Sequence, residues 1–220
     1  MKLGHTLDGK RLKIVVAGAH PDDPESCCGG TTLLYADEGD DVVYLYLTRG
    51  EAGIDGVDYE EAARIRTAEV EASCKILGAR PVFLGQVDGA TEISAEWYER
   101  VRGVLAAEGP DIVITHWPID THRDHRAMGL LVYDAWLHLG RTFELYYFEA
   151  MTGQQTQVFN PTAYVDISGV EERKRAACLA HASQHPAEGF YAVHQAMHRQ
   201  RGNEAGVPLA EAFVRHESRH

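Results

Sequence analysis

Short apolar runs alternate with helical segments along most of this 220-residue chain, and this alternation restricts the fold more than any other feature. The runs are rich in β-branched or aromatic residues and end near glycine or polar residues, as buried strands do. The expected strands are Leu12 to Gly18, Asp41 to Thr48, Pro81 to Leu84, Asp111 to Thr115, Phe143 to Phe148 and Ala163 to Ile167. Strands that alternate with helices predict an α/β three-layer sandwich with a mostly parallel, Rossmann-like sheet.

Helical spacing of apolar residues, with glycine at the expected ends, marks the segments between these strands. The expected helices are Glu25 to Glu38, Tyr59 to Leu77, Ser94 to Ala107, Asp124 to Leu139, Val170 to Ser183 and a further helix within Phe190 to Val214. Neither an internal repeat nor a linker divides the chain. The sequence therefore predicts a single domain over residues 1–220.

Composition narrows the class of partner. The formal net charge of −12 speaks against nucleic acid or an anionic membrane as the main partner. An apolar content of 45% is that of an ordinary globular protein, and we find neither a membrane-spanning run nor a signal-peptide core. Four cysteines in no recognisable framework predict small buried residues in a reducing cytoplasm. The sequence leaves open whether the chain forms a homo-oligomer.

A polar segment, Ala19 to Glu25, follows the first expected strand at the point where the chain enters a helix. Imidazole and carboxylate groups at a strand end suit a divalent metal. A helix N-cap explains Asp22 or Asp23 equally well, since Asp is a favoured cap and Pro24 fits the first helical turn. Both interpretations stay open on this segment alone.

A second polar segment, His116 to His125, follows the strand that ends at Thr115. Two strand ends that both carry His and Asp favour one shared site over two unrelated caps. Three protein ligands and one open position form the usual catalytic zinc site.

Three motifs in this order resemble those of the LmbE-like (PIG-L-like) zinc-dependent N-deacetylases. The motifs are His20-Pro21-Asp22-Asp23, Arg66-Thr67-Ala68-Glu69-Val70-Glu71-Ala72 followed by Leu77-Gly78, and His122-Arg123-Asp124-His125. The resemblance runs from about Ile14 to the end of the chain. Pro24 stands where the family usually has Glu, and Arg123 where Pro is common, so the role of Glu25 stays open.

The resemblance implies one Zn²⁺ ion and a hydrolase that removes an N-acyl group, most simply N-acetyl, from an aminosugar or sugar conjugate. The implied metal ligands are His20, Asp23 and His125. It further implies that Asp22 is the general base, that His122 assists at the oxyanion, and that Asp124 orients His122.

Two residues are expected to meet the substrate. The resemblance implies that Arg66 holds a substrate oxygen, whereas helical spacing alone predicts a salt bridge with Glu69 or Glu61. Asp88 lies in an Asp-Gly turn and has either that turn role or a contact with substrate hydroxyls.

Most of the 12 histidines are expected to lie outside the metal site. His116 is a competing ligand, and His181 and His185 are candidates for the pocket wall. His138, His194 and His198 fit exposed or capping positions on helices. The Gly-rich segment from Arg49 to Gly56 lacks P-loop spacing and is expected at the pocket rim.

Three other functions compete with this one. The first is an amidase for a non-sugar N-acyl metabolite or thiol conjugate. The second is a non-enzymatic Rossmann-like binder of small molecules, which predicts no bound metal. The third is a phosphoesterase, which needs a second ion and further ligands such as His116 and Asp120.

Overall fold

The computed structural model describes residue 3, residues 10–187 and residues 189–217. Its elements alternate as the sequence predicts. The strands are β1 (Lys13–Gly18), β2 (Asp41–Thr48), β3 (Ala79–Gln86), β4 (Ile112–His116), β5 (Glu144–Phe148), β6 (Ala163–Asp166) and β7 (Ala210–Arg215). The helices are α1 (Asp23–Asp37), α2 (Tyr59–Leu77), α3 (Ala95–Glu108), α4 (Arg123–His138), α5 (Glu171–Leu179) and α6 (Phe190–Ala205), with a short 3-10 turn at Ala182–Gln184.

The strands form one seven-stranded sheet in the order β3-β2-β1-β4-β5-β7-β6. Strands β3, β2, β1, β4 and β5 are parallel, and β7 runs antiparallel to both of its neighbours. This arrangement confirms the predicted mostly parallel α/β sandwich. Strand β7 lies in the region for which the sequence predicted only a helix with a following segment, so that part of the expectation was incomplete.

Both faces of the sheet are covered, which explains why β1 is a continuous apolar run rather than an alternating one. Ile14 and Val16 face the side that carries α1, α2 and α5, whereas Val15 and Ala17 face α3 and α4. All four side chains are fully buried.

Helix ends follow the expected chemistry. The Asp58 side chain accepts a hydrogen bond from Glu61 N at the start of α2, and Gly78, with φ of 67°, ends that helix. Helix α5 ends at Leu179, four residues before the expected end, and the chain continues into the 3-10 turn.

The four cysteines are free and buried, as predicted from their spacing. Among the described residues, none of the helices has the length and apolar character that crossing a bilayer requires.

Candidate functional site

The sheet order reverses direction between β1 and β4, and the candidate residues lie at the carboxyl ends of these two strands. Such a switch point opens a crevice in α/β sheets, where ligands usually bind. His20, Asp22 and Asp23 connect β1 to α1, and His122 and His125 begin α4. The loop after β3 brings Asp88 to the same edge.

Asp23 lies close to both other expected metal ligands, and His20 and His125 form with His122 a group of candidate ligand atoms within 4.8 Å of one another. His20 Nδ1 lies 3.3 Å from Asp23 Oδ2, and His125 Nε2 lies 3.5 Å from Asp23 Oδ1. Burial opposes the ionisation of Asp23, but His125 and His116 lower its pKa well below the ordinary value. The Asp23 carboxylate is therefore anionic, as a metal ligand must be.

The other ring nitrogen of His20 faces two carboxylates. Its Nε2 lies 3.2 Å from Asp124 Oδ2 and 3.2 Å from Asp88 Oδ1. Asp124 also accepts hydrogen bonds from Gly89 N at 2.8 Å and from the Thr91 hydroxyl at 2.6 Å. The expectation that the Asp124 carboxylate orients His122 is therefore corrected, because this carboxylate contacts His20 instead.

His122 meets Asp124 only through the backbone. It is the N-cap residue of α4, and its Nδ1 accepts a hydrogen bond from Asp124 N at 3.3 Å. This bond places the proton of a neutral imidazole on Nε2. Burial and the nearby His20 lower the pKa of His122, which favours that neutral form. The ring lines the cavity, with its centroid 4.7 Å from that of His20.

His116 lies beside the expected ligands, and one of its ring nitrogens forms with Asp23 and His125 a group of candidate ligand atoms within 4.8 Å of one another. Its Nε2 accepts a 3.0 Å hydrogen bond from Ala19 N and lies 3.2 Å from Asp23 Oδ2. The ring stacks on His125, with centroids 4.0 Å apart. Burial and the charge of His125 lower the pKa of His116 to about 4, so the imidazole is neutral near pH 7.

Asp120 supports His125 from the other side. Its Oδ1 lies 3.3 Å from His125 Nδ1, and its Oδ2 accepts from the Thr156 hydroxyl at 2.8 Å. A carboxylate behind a histidine is the usual way to direct the opposite nitrogen towards a metal. Asp120 therefore has a supporting position behind His125, whereas His116 belongs with Asp23 and His125 to one group of candidate ligand atoms.

Asp22 is the N-cap residue of α1, but its carboxylate pairs with an arginine. Arg66 donates to Asp22 Oδ2 at 2.7 Å, and the same nitrogen donates to Pro21 O. Burial raises the pKa of Asp22, and Arg66 opposes this shift without cancelling it. The predicted salt bridge of Arg66 with Glu69 or Glu61 was wrong, since Glu69 accepts from Ser183 and Glu61 pairs with Arg64.

Asp22, Arg66, His122 and the three expected metal ligands line an open cavity of about 560 Å³. Ala52 and Gly53 of the Gly-rich segment lie on its wall, as expected. Asp88 lines it beside His20, so the geometry allows a substrate contact in addition to its place in the turn. Other wall residues come from the C-terminal half and were not singled out from the sequence: Met151, Gln155, Gln184, Phe190 and His194.

Several of the other histidine expectations need correction. His194 and His198 are buried on α6 rather than exposed, and His194 lines the cavity. His181 is buried outside the cavity wall, and His185 is exposed. The spacing of four residues between His194 and His198 indicates that both lie on one face of a helix. It does not indicate whether that face is buried, which depends on how the helix packs.

Several known proteins are similar to this chain in sequence and in fold. The family model described as PIG-L, GlcNAc-PI de-N-acetylase, matches residues 15–136. Diacetylchitobiose deacetylase of Thermococcus kodakarensis is 34% identical over 191 residues, which cover 79% of this chain and 70% of that protein.

Two solved structures match nearly the whole chain. The conserved protein TT1542 of Thermus thermophilus has a TM-score of 0.81 and 31% identity, over 95% of this chain and 96% of that one. N,N'-diacetylchitobiose deacetylase of Pyrococcus horikoshii has a TM-score of 0.83 and 26% identity, over 93% and 83% respectively. Because the family model covers more than half of its residues and a relative of known name matches most of its length, this chain belongs to the PIG-L (GlcNAc-PI de-N-acetylase) family.

Proposed function

We propose that this chain is a zinc-dependent hydrolase that removes the N-acetyl group from an aminosugar or an aminosugar conjugate. The observation that carries the proposal is the convergence of His20, Asp23 and His125 beside the carboxylate of Asp22 in one cavity. The relative from Thermococcus kodakarensis is named a diacetylchitobiose deacetylase, so N-acetylated chitooligosaccharides are the first substrates to test.

The residues present fit a zinc ion. Two imidazoles and one carboxylate are a donor set that zinc accepts in catalytic sites. The carboxylates of Asp22, Asp23 and Asp88 line the cavity, that of Asp124 is buried against His20, and Arg66 is the one Lys or Arg side chain on the described part of the cavity wall. A divalent cation would neutralise this excess of negative charge. When bound, zinc would lower the pKa of a water molecule and polarise the acyl oxygen.

Asp22 is placed to move the proton of the attacking water. Its carboxylate lines the cavity next to Asp23, and a raised pKa brings a carboxylate nearer to the range of an effective general base. Arg66 holds the carboxylate in one orientation. Once protonated, Asp22 is also the group that can return this proton to the leaving amine.

His122 is placed to stabilise the negative charge that develops on the acyl oxygen. Its Nδ1 accepts from Asp124 N, so its Nε2 carries a proton that it can donate into the cavity. A fixed donor at this point acts in the transition state more than in the ground state. Asp124 fixes His20 in turn, and Asp120 fixes His125.

Two isosteric variants test the assignment of the adjacent aspartates. Asp23→Asn is expected to lose zinc, because a neutral amide is a poor ligand beside two imidazoles. Asp22→Asn is expected to retain zinc and lose about 10²–10⁴-fold in kcat, the usual contribution of a positioned base. Zinc content by atomic emission and kcat on N,N'-diacetylchitobiose measure both.

The outcomes separate the alternatives. Release of zinc by Asp22→Asn with retention by Asp23→Asn would reverse the two roles. If both variants stay active and lose only about 1 kcal/mol of stability, the aspartates are merely helix caps. Metal-free protein that a chelator does not affect would support a non-enzymatic binder. Activity on N-acyl metabolites but not on N-acetylated sugars would favour the amidase.

We further propose that residues 1–220 act as one deacetylase domain on a small molecule in the cytoplasm. The net charge of −12 and four free, buried cysteines support this setting. Size-exclusion chromatography with light scattering would show whether copies of the chain associate.

A further inference from the structure

Asp22, the residue proposed as general base, has an unusual backbone conformation. Its φ of 98° and ψ of −26° place it on the left-handed side of backbone space, where few residues that carry a side chain are found. A side-chain-bearing residue keeps such a conformation only when its surroundings hold it there. The structure must therefore contain groups that restrain this peptide.

Glu25 contacts the Asp22 peptide directly. Its Oε2 accepts a hydrogen bond from Asp22 N at 3.2 Å. Its Oε1 accepts a 2.7 Å bond from the Tyr46 hydroxyl and lies 3.0 Å from His181 Nε2. Since two partners fix Oε1, the carboxylate cannot rotate, and Oε2 stays directed at Asp22 N.

The three supporting side chains are completely buried. Glu25, Tyr46 and His181 are each 0% exposed. Burial lowers the pKa of His181, but the Glu25 carboxylate outweighs it, and the pKa is raised above the ordinary value. Glu25 and His181 thus form a buried pair, with Oε1 and Nε2 3.0 Å apart.

A helix cap alone does not account for this arrangement. Asp22 and Glu25 make the reciprocal bonds of a capping box, but in that motif the N-cap residue is typically extended. Here the Glu is buried, two further side chains hold it, and the N-cap residue has a positive φ. The extra partners come from β2 and from the segment after α5, remote elements that a simple cap does not require.

We propose that Glu25, Tyr46 and His181 form a buried clamp whose function is to hold the backbone of Asp22 so that its carboxylate faces the cavity. The three are positioning residues, since they act through Asp22. The inference rests on the proposed role of Asp22 as general base. It assigns a role to Glu25, which the sequence motifs left open, and explains why His181 lies behind the cavity wall.

The test combines clamp variants with Asp22→Asn. Glu25→Gln removes one acceptor without changing shape, and Tyr46→Phe removes only the hydroxyl. Each is expected to lower kcat, by roughly 10- to 100-fold for Glu25→Gln, as loss of an outer hydrogen-bond partner does. KM and zinc content are expected to stay unchanged. Combined with Asp22→Asn, neither is expected to lower kcat further.

Tyr44→Phe is the matched control. Tyr44 lies two residues earlier on β2, is equally buried, and bonds the Thr32 hydroxyl at 2.6 Å, so its loss removes a comparable hydrogen bond away from Asp22. The control is expected to keep full kcat even if it melts at a lower temperature. Tyr46→Phe keeps the ring and therefore serves if Glu25→Gln does not fold.

Two results would overturn the clamp: full kcat in both single variants, or effects that multiply with that of Asp22→Asn. The second result would mean that the clamp residues act on stability or on another group. Full kcat in Asp22→Asn itself would instead refute the proposed base, and the clamp with it. The two failures are thus distinguished by the Asp22→Asn variant alone.

Discussion

Replacement of Arg66 by methionine tests how the site holds its proposed base. The Arg66 side chain is 3% exposed, and one of its terminal nitrogens donates to Asp22 Oδ2 at 2.7 Å and to Pro21 O. The guanidinium packs against the backbone of the Gly-rich segment, where a Cβ built on Gly53 would lie 2.4 Å from Nη1. Methionine fills the same space but supplies neither the charge nor the two hydrogen bonds.

The structure sets the size of the effect. Removal of one partner from a buried ion pair costs about 3–5 kcal/mol, because the other charge is left unpaired. Asp22 retains 20% of its side-chain exposure, so we expect the lower end, about 3 kcal/mol. For a chain of this size, that loss corresponds to a fall in Tm of about 6–12 °C.

Urea denaturation, kcat and KM measured on the same protein preparation separate the possible roles of Arg66. We expect Arg66→Met to lose stability and kcat while KM and zinc content change little. Arg66→Lys is expected to recover part of both, since a single ammonium can donate to both oxygens. Arg64→Met is the control, because Arg64 is exposed and pairs with Glu61 on the same helix; its effect is expected within about 0.5 kcal/mol.

A different pattern would refute this reasoning. If Arg66→Met keeps its stability and its kcat but raises KM, the guanidinium binds substrate rather than Asp22. That outcome would support the role that the sequence motif implied, in which Arg66 holds a substrate oxygen. The Arg66–Asp22 contact would then contribute nothing measurable to stability.

Two further predictions concern α1 and α6. Replacing a glycine by alanine usually stabilises a helix by about 1 kcal/mol. At Gly30, however, the added Cβ would lie 2.5 Å from Ile167 Cγ2, so we expect Gly30→Ala to lower the free energy of unfolding in urea by about 1–3 kcal/mol. A higher free energy of unfolding would show that α1 can shift. Burial and Lys174 lower the pKa of His194 to about 3. Below pH 6.5 the unfolded chain therefore binds a proton that the native chain does not, and stability is lost as pH falls towards 3. His194→Leu is expected to reduce the loss of unfolding free energy between pH 7 and pH 4.5 by about 2–3 kcal/mol. His138→Leu, at an exposed site, is the control. If the unfolding free energies of the two variants change in parallel with pH, the prediction is contradicted.

The sequence alone determined the parallel part of the sheet and the edge at which the candidate site lies. Strands such as β1 and β4 are buried on both faces, so they must be continuous apolar runs, and such runs are visible without a structure. The polar groups that follow them, His20 to Asp23 and His122 to His125, had to meet, because the carboxyl ends of neighbouring parallel strands lie at one edge. Their assignment as metal ligands remains a prediction.

Only the tertiary structure decided which partner each side chain has. Asp124 contacts His20 rather than His122, and Arg66 contacts Asp22 rather than Glu69, across 104 and 44 residues respectively. Local spacing carries no information about such contacts, because several acceptors lie within reach of each donor and packing selects one.

Strand β7 and the buried face of α6 were missed for the same physical reason. Glu211 is the second residue of β7, where a charged residue argues against burial, yet its carboxylate accepts from Gly30 N and Thr31 N and pairs with Lys174. His198 is buried against the same lysine, with Nε2 3.0 Å from its ammonium. A sequence pattern predicts such polar residues as exposed, because burying a polar group is favourable only when its hydrogen-bond partners are buried with it. Those partners are known only from the tertiary structure.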